Sequence, residues 1–158
     1  MSDSAESLRA VRKRETARHL TDAARRLTVA HGFTGFTIEE LCAEVGISRR
    51  TFFNYFDAKE SAVLGLAGED PRLEALADAF VAQGEDGGRD LVVDFIELQF
   101  ARWELVDPLA DAPILFAIFD QEPRLVKGMF DRMSENERRD IRLIADREGF
   151  DDDDLRAE

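Results

Sequence analysis

The side chains best equipped for recognition chemistry fall between Ser48 and Tyr55, in the run Ser-Arg-Arg-Thr-Phe-Phe-Asn-Tyr. An arginine fork matches the O6/N7 edge of guanine and an asparagine amide pairs in the same bidentate way with adenine, each good pair being worth about 1–3 kcal/mol of discrimination. Arg50 and Asn54 stand four residues apart, so on a helix they share one face. Phe52 and Phe56 have the same spacing; large and apolar, they point together into a core on the opposite side. Thr51, Phe53 and Tyr55 fall on the flanks. Arg49 lies in the first turn, where a helix entering a groove end-on still brings it to DNA. An exposed Arg and Asn one turn apart are ordinary helix surface in isolation; the turn before them and the aromatics around them give them meaning.

Those residues need a frame, and the preceding sequence supplies one. Thr37 with Glu40 three residues later is a capping box, and Ile38, Leu41, Cys42 and Val45 then form one apolar stripe of a first short helix. Gly46 provides the backbone freedom for a tight turn, Ile47 plugs the inside of the corner and Ser48 caps the reading helix. Asp57 and Glu60 repeat the capping-box spacing, which places Lys59 in the first turn of a further helix, beside a favourable position for a DNA phosphate. Cys42 on the inner stripe reads as a small buried residue. Upstream, residues 1–10 are polar and expected to be a disordered arm. They lead into a basic cluster at Arg9, Arg12, Lys13, Arg14 and Arg18, the composition that phosphate contacts require, although a solvated helix face would read the same way. Ala17, Leu20, Ala24 and Leu27 recur at helical spacing, so a long helix is expected from Arg12 to His31 with Gly32 as its C-cap. Phe33, Phe36 and Ile38 wedge it onto the next helix. His19 and His31 have no ligand-spaced partners and read as ordinary helix residues.

Hydrophobic residues make up 44% of the 158-residue chain, enough for a packed core, and the four Pro and ten Gly are too few to interrupt helices often. An all-α protein is expected. A single Cys rules out an internal disulfide framework, and the polar start has neither an apolar leader segment nor a run long enough to cross a bilayer; a cytoplasmic protein is expected. The net charge of -13 would repel a polyanion were it evenly spread. Through Glu60, however, there are ten basic and nine acidic residues, leaving 11 basic and 25 acidic from Ser61 onward. An acidic body beside a locally basic surface suppresses binding in wrong orientations.

The stretch GFTGFTIEELCAEVGISRRTFFNYFDAKESAVL, including the pattern G-x-S-x-x-T-x-F-x-Y-F-x-x-K-E, resembles the N-terminal helix-turn-helix domain of the TetR/AcrR family of transcriptional regulators. The likeness covers residues 12–66. It implies a three-helix DNA-binding domain (residues 11–57) joined by a fourth helix to a helical ligand-binding and dimerisation domain (residues 58–158), and a homodimer whose binding to a pseudo-palindromic operator is relieved by a small-molecule effector. Carried over residue by residue, the DNA contacts fall at Thr37, Ser48, Arg49, Arg50, Thr51, Phe53, Asn54, Tyr55 and Lys59. Phe53 stands where the family often has Tyr, so a hydroxyl contact to phosphate is missing there.

From Ser61 the linking helix is expected to run to Ala67, with Gly68 and Pro71 ending it. Leu73 to Val81 is amphipathic, residues 84–88 read as a loop, and Leu91 to Val106 is apolar nearly all round until Pro108. Pro113 opens another apolar helix, and Leu125 to Glu148 is a long amphipathic one ended by Gly149. Asp151 to Asp154 lacks the alternating ligands of a calcium loop and reads as an acidic cap for a helix that the chain cuts short, so the second domain is expected to be truncated at its C-terminus. A cavity among the aromatics would draw on Phe95, Gln99, Arg102, Trp103, Phe116, Phe119, Met129 and Met133, with Gln99 and Arg102 orienting the ligand, though for each residue plain core packing competes with that role. A competing reading is a protein-interaction module whose helix-turn-helix no longer reads DNA; the basic start and the Arg49–Arg50 pair weigh against it. No nucleophile with a base, metal-ligand spacing or phosphate-cradling Gly loop is visible, so no enzyme, metal or cofactor is expected.

Overall fold

A computed structural model describes residues 2–68, 70–85, 90–106 and 111–150, and its regular elements are all helical among these residues: α1 (Ser2–His31), α2 (Ile38–Val45), α3 (Arg49–Phe52), α4 (Lys59–Leu64), α5 (Pro71–Glu85), α6 (Leu91–Val106), α7 (Ala112–Gln121) and α8 (Arg124–Glu148). The all-α class follows from the sparse Gly and Pro and the long helical periodicities. Two compact units emerge, one of residues Met1–Gly68 with Asp111–Met129, the other of Glu69–Ala110 with Phe130–Glu158. The contacts therefore group 58–68 and 111–129 with the N-terminal helices, where the sequence suggested a single boundary after residue 57.

In the first unit α1 begins at Ser2, so helix replaces the disordered arm expected over residues 2–10. Its second half supplies the core face. Leu20, Ala23 and Ala24 are buried with Leu41 and Cys42 of α2, Phe52 and Phe56, Ala62 and Val63 of α4, Ile118 of α7 and Leu125 of α8. The expected pairing of Phe52 with Phe56 holds: both are buried, their ring centroids 5.8 Å apart. Burying one such ring is worth about 1.5–3 kcal/mol. The wedge also forms as the sequence suggested, with Phe33 and Phe36 buried between α1 and α2. The Phe33 N–H donates to Glu122 Oε1 at 3.0 Å, and the Arg124 guanidinium lies 4.8 Å from the Phe33 ring centroid.

Two boundaries differ from expectation. The link ends at Leu64, because Gly65 adopts the left-handed conformation and its N–H returns to the Ala62 and Ser61 carbonyls, so the helix does not reach Ala67. At the other end Ala58, not Asp57, is the N-cap and makes no side-chain cap bond; Asp57 accepts from Ser61 Oγ one turn on.

The second unit is built from α5, α6 and the part of α8 from Phe130 onward. Phe80 meets Phe95 edge to face at 6.0 Å. Arg147 Nη2 donates to Asp94 Oδ2 at 2.5 Å, with both side chains buried, and its guanidinium stands 4.8 Å from the Phe80 ring centroid. Gly84 is what lets α5 come this close to α8: a Cβ there would sit 2.5 Å from Arg147 Cγ and 2.7 Å from its carbonyl oxygen. Gly84 therefore belongs to α5, which runs to Glu85, although the sequence suggested a loop from that residue. Residues 86–89, Pro108 and the Asp151–Asp154 run lie outside the described residues.

Candidate nucleic-acid interface

The helix pair at the surface of the first unit is fixed by its caps. Thr37 Oγ1 accepts from the Glu40 N–H at 3.1 Å, while Glu40 Oε2 accepts from the Thr37 N–H at 2.7 Å and from its hydroxyl at 2.9 Å. The capping box read from sequence is complete. These hydrogen bonds, the backbone one foremost, hold the Glu40 carboxyl below its ordinary value. Gly46 ends α2 at φ 77°, a conformation that costs a side-chain-bearing residue about 1–2 kcal/mol. Ser48 then caps α3, its Oγ accepting from the Thr51 N–H at 3.0 Å and sharing a hydrogen bond with Thr51 Oγ1 at 2.8 Å.

The reading helix is shorter than expected. Regular α geometry stops at Phe52, and the chain then tightens, with the Asn54 N–H on the Thr51 carbonyl and the Tyr55 N–H on that of Phe52. Asn54 and Tyr55 thus sit on a turn that prolongs α3, not on the helix proper. The assigned faces survive: Phe52 and Phe56 are buried while Arg50 and Asn54 are exposed. Arg50 makes no ion pair among the described residues, so its five donors face solvent.

Arg49 is engaged differently. Its Nε lies 3.1 Å from Glu39 Oε1 and its guanidinium 5.4 Å from the Phe53 ring centroid. Both partners of the ion pair are more than half exposed, so exchanging Glu39 for a phosphate would cost only about 0.2–1 kcal/mol. Thr37, Ser48 and Phe53 are exposed, whereas Thr51 and Tyr55 are half-buried.

Lys59 departs from the sequence reading. Its ammonium donates to the Phe36 and Phe33 carbonyls at 2.5 and 2.6 Å and stands 4.2 and 4.4 Å from the centroids of the same two rings. Two of its three donors are thereby committed inward. These bonds clamp the α1–α2 loop and fix the entry to α2.

Arg25 was not singled out from sequence. It lies on α1 within the buried stripe, 3% exposed, and its Nε donates to the Val63 carbonyl at 2.9 Å while Nη1 pairs with Asp111 at the start of α7. One side chain thus ties α1 to the end of α4 and to α7. The signal available was its register: Thr21, Arg25 and Thr28 follow one another at helical spacing and all three are buried. The basic stretch of α1 exposes Arg9, Arg12, Lys13 and Arg18 and half-buries Arg14.

The residues expected to bind a ligand divide between the units: Phe116, Phe119 and Met129 belong to the first, Phe95, Gln99, Arg102, Trp103 and Met133 to the second. Within the second unit a groove of about 440 Å³ is lined by Phe95, Met133, Asn136, Glu137, Asp140, Ile141 and Ile144. Only Phe95 and Met133 of the expected set line it. Gln99 Nε2 and Arg102 Nη1 bond instead to Asp140, at 3.0 and 2.5 Å, and Trp103 and Phe116 are more than half exposed. Among the described residues no cluster of three metal-ligating side chains occurs, and no helix is long and apolar enough to cross a membrane.

Comparison with known proteins agrees with this geometry. Residues 20–64 match the profile of the bacterial regulatory proteins of the tetR family. TcmR of Streptomyces glaucescens, a helix-turn-helix-type transcriptional regulator, is 30% identical over 169 aligned positions, covering 94% of this chain and 68% of that protein. A candidate transcriptional regulator of mycofactocin biosynthesis from Mycobacterium tuberculosis, MftR, is 37% identical over 54 residues, or 34% of this chain and 27% of its own length. No solved structure shows significant similarity to the chain.

Proposed function

Because the chain belongs to the tetR family of bacterial regulatory proteins and is therefore a DNA-binding transcriptional regulator, we propose that it is a cytoplasmic, ligand-responsive repressor that binds a pseudo-palindromic operator as a homodimer. Residues 11–57 read DNA and the regulatory input enters through the region 58–158. The observation that carries the reading is the pairing of faces on one short segment: Phe52 and Phe56 are locked in the core while Arg50 and Asn54, on the opposite side, are exposed. Arg50 supplies a bidentate donor to guanine, and Asn54 a donor–acceptor pair to adenine. Thr37, Ser48 and Arg49 position the segment on phosphates, joined by Thr51 and Tyr55; the ring of Phe53 supports the Arg49 guanidinium, and Lys59 holds α2 in place.

The input reaches this surface through Arg25. A ligand that shifts α7 moves Asp111, and Arg25 passes the shift to the last carbonyls of α4, the helix that follows the reading segment. Two reader segments in a dimer address successive major grooves only at about 34–36 Å spacing, so a small change in α4 suffices to break the match. Selection of duplexes from a random pool by the purified chain tests the reading. It is expected to recover two inverted half-sites with guanine and adenine at fixed positions; a pool that never departs from random sinks it.

A further inference from the structure

We infer that Glu122, at the corner between α7 and α8, is a positioning residue for DNA reading: it holds the α1–α2 loop and so sets where α2 and the reading segment stand. The inference rests on the DNA-reading function proposed above and extends it to a side chain outside the matched residues 20–64.

Phe33 is gripped from two sides. Inside the α1–α2 loop the Gly32 N–H returns to the Thr28 carbonyl at 2.8 Å and the Gly35 N–H to the Gly32 carbonyl at 3.0 Å. The Phe33 N–H instead takes its acceptor from 89 positions away, Glu122 Oε1 at 3.0 Å. The Phe33 carbonyl in turn accepts from the Lys59 ammonium at 2.6 Å. One loop residue thus lies between a carboxylate from the α7–α8 corner and a cation from α4. Arg124 completes the grip. Its Nε lies 3.2 Å from Glu122 Oε2, and its guanidinium stands 4.8 Å from the centroid of the Phe33 ring, which also lies 4.4 Å from Lys59 Nζ.

The corner is a fixed platform. Ile118 and Leu125, on either side of it, are both buried in the core of the first unit. The Glu122 N–H donates to the Ile118 carbonyl at 2.8 Å, and the Glu122 carbonyl accepts from the Leu125 N–H at 3.0 Å. The Glu122 side chain is 19% exposed, so its loss strands a part-buried donor that water reaches poorly. The loop has no slack to absorb that loss, since a Cβ at Gly35 would sit 2.0 Å from the His31 carbonyl oxygen. Lys59 also holds the Phe36 carbonyl at 2.5 Å, and Phe36 precedes Thr37, the cap of α2. A displacement of Phe33 therefore passes to the start of α2 and, through the Gly46 turn, to Ser48 and Arg50.

Two measurements on the full chain test this. In the free protein, amide hydrogen exchange at Phe33 and along α2 is expected to quicken about two- to thirtyfold in Glu122→Ala, with α5 and α6 unchanged. The preference of the folded chain for a selected over a random duplex should fall by a similar factor, with the salt dependence of binding unchanged because no phosphate contact is lost. Glu122→Gln keeps an oxygen for the Phe33 N–H and should stay near wild type in both, whereas Glu122→Asp, one methylene short, should behave like Glu122→Ala. A role confined to stability would lower the melting temperature and leave the preference intact. Wild-type protection of Phe33 and α2 in Glu122→Ala, or an undiminished preference, overturns the proposal, as does a Glu122→Gln chain as impaired as Glu122→Ala. If Glu122→Ala fails to fold, Glu122→Asp takes its place in both measurements. Faster α2 exchange in a chain whose wild type selects no duplex refutes the proposed function and not the hold of Glu122 on α2.

Discussion

Replacing Arg25 with alanine removes the side chain that joins α1, α4 and α7. Its Nε donates to the Val63 carbonyl at 2.9 Å in a buried setting, and a hydrogen bond with a charged donor contributes about 1.5–3 kcal/mol. The buried aliphatic stem adds about 1–2 kcal/mol of packing. The Asp111 carboxylate is 50% exposed and remains solvated when its partner leaves, so the ion pair contributes about 1 kcal/mol or less. The bond from Nη2 to the Leu64 carbonyl, at 3.4 Å, is too long to add much. Arg25→Ala is therefore expected to cost about 3–5 kcal/mol, lowering the melting temperature by about 6–20 °C for a chain of this size. Asp111→Asn, which leaves the buried Arg25 Nη1 without its counter-charge, should cost about 1–3 kcal/mol, less than Arg25→Ala. Urea and thermal titrations followed by far-ultraviolet circular dichroism measure both. An Arg25→Ala protein that melts within about 2 °C of wild type would refute the reasoning, as would an Asp111→Asn protein just as unstable, which would mean that the half-exposed ion pair outweighs the buried carbonyl bond.

Phe52→Ala should destabilise the chain by about 3–5 kcal/mol, whereas Phe53→Ala, whose ring is 46% exposed, should cost under about 1 kcal/mol in the same titrations. The depressed Glu40 carboxyl gives a pH prediction. Its folded value lies below the ordinary 4.5, so the unfolded chain binds its proton first; the stability it supplies is complete above about pH 4.5 and is lost as pH falls through the folded value. Glu40→Gln should therefore be less stable than wild type at pH 7, with the gap closing under acid, and a gap that widens would show the capping box does not hold the carboxylate. Burial raises the Cys42 thiol above its ordinary 9.0, so a thiol reagent at pH 8 should label the unfolded chain and leave the folded one almost untouched.

Much of the reading segment was legible because its determinants are local. The Thr37–Glu40 box, the Gly46 turn, the Ser48 cap and the Phe52–Phe56 pair each rest on residues within four or five positions, and each formed as read. What escaped depends on distant partners. Lys59 looks free in sequence, but the carbonyls that capture it belong to residues 26 and 23 positions earlier. Arg25 reads as one more charge on a basic helix until α4, 38 residues on, brings Val63 to it. Gly65 and Gly68 are equally good helix stops on paper, and only the return of the Gly65 N–H to Ala62 and Ser61 distinguishes them. The candidate ligand residues were grouped by apolar character, with Gln99 and Arg102 added as polar groups, and neither criterion can assign Phe116 and Phe95 to different compact units.

The central claim is that Arg50 reads a base edge, and its most direct test is a competition titration at fixed salt of a selected duplex against a random one, with wild-type and Arg50→Ala chains. Loss of one bidentate contact in each half-site, about 1–3 kcal/mol apiece, should lower the preference for the selected duplex roughly 5- to 150-fold per half-site, with the melting temperature unchanged. An Arg50→Ala protein that keeps its full preference would contradict the account.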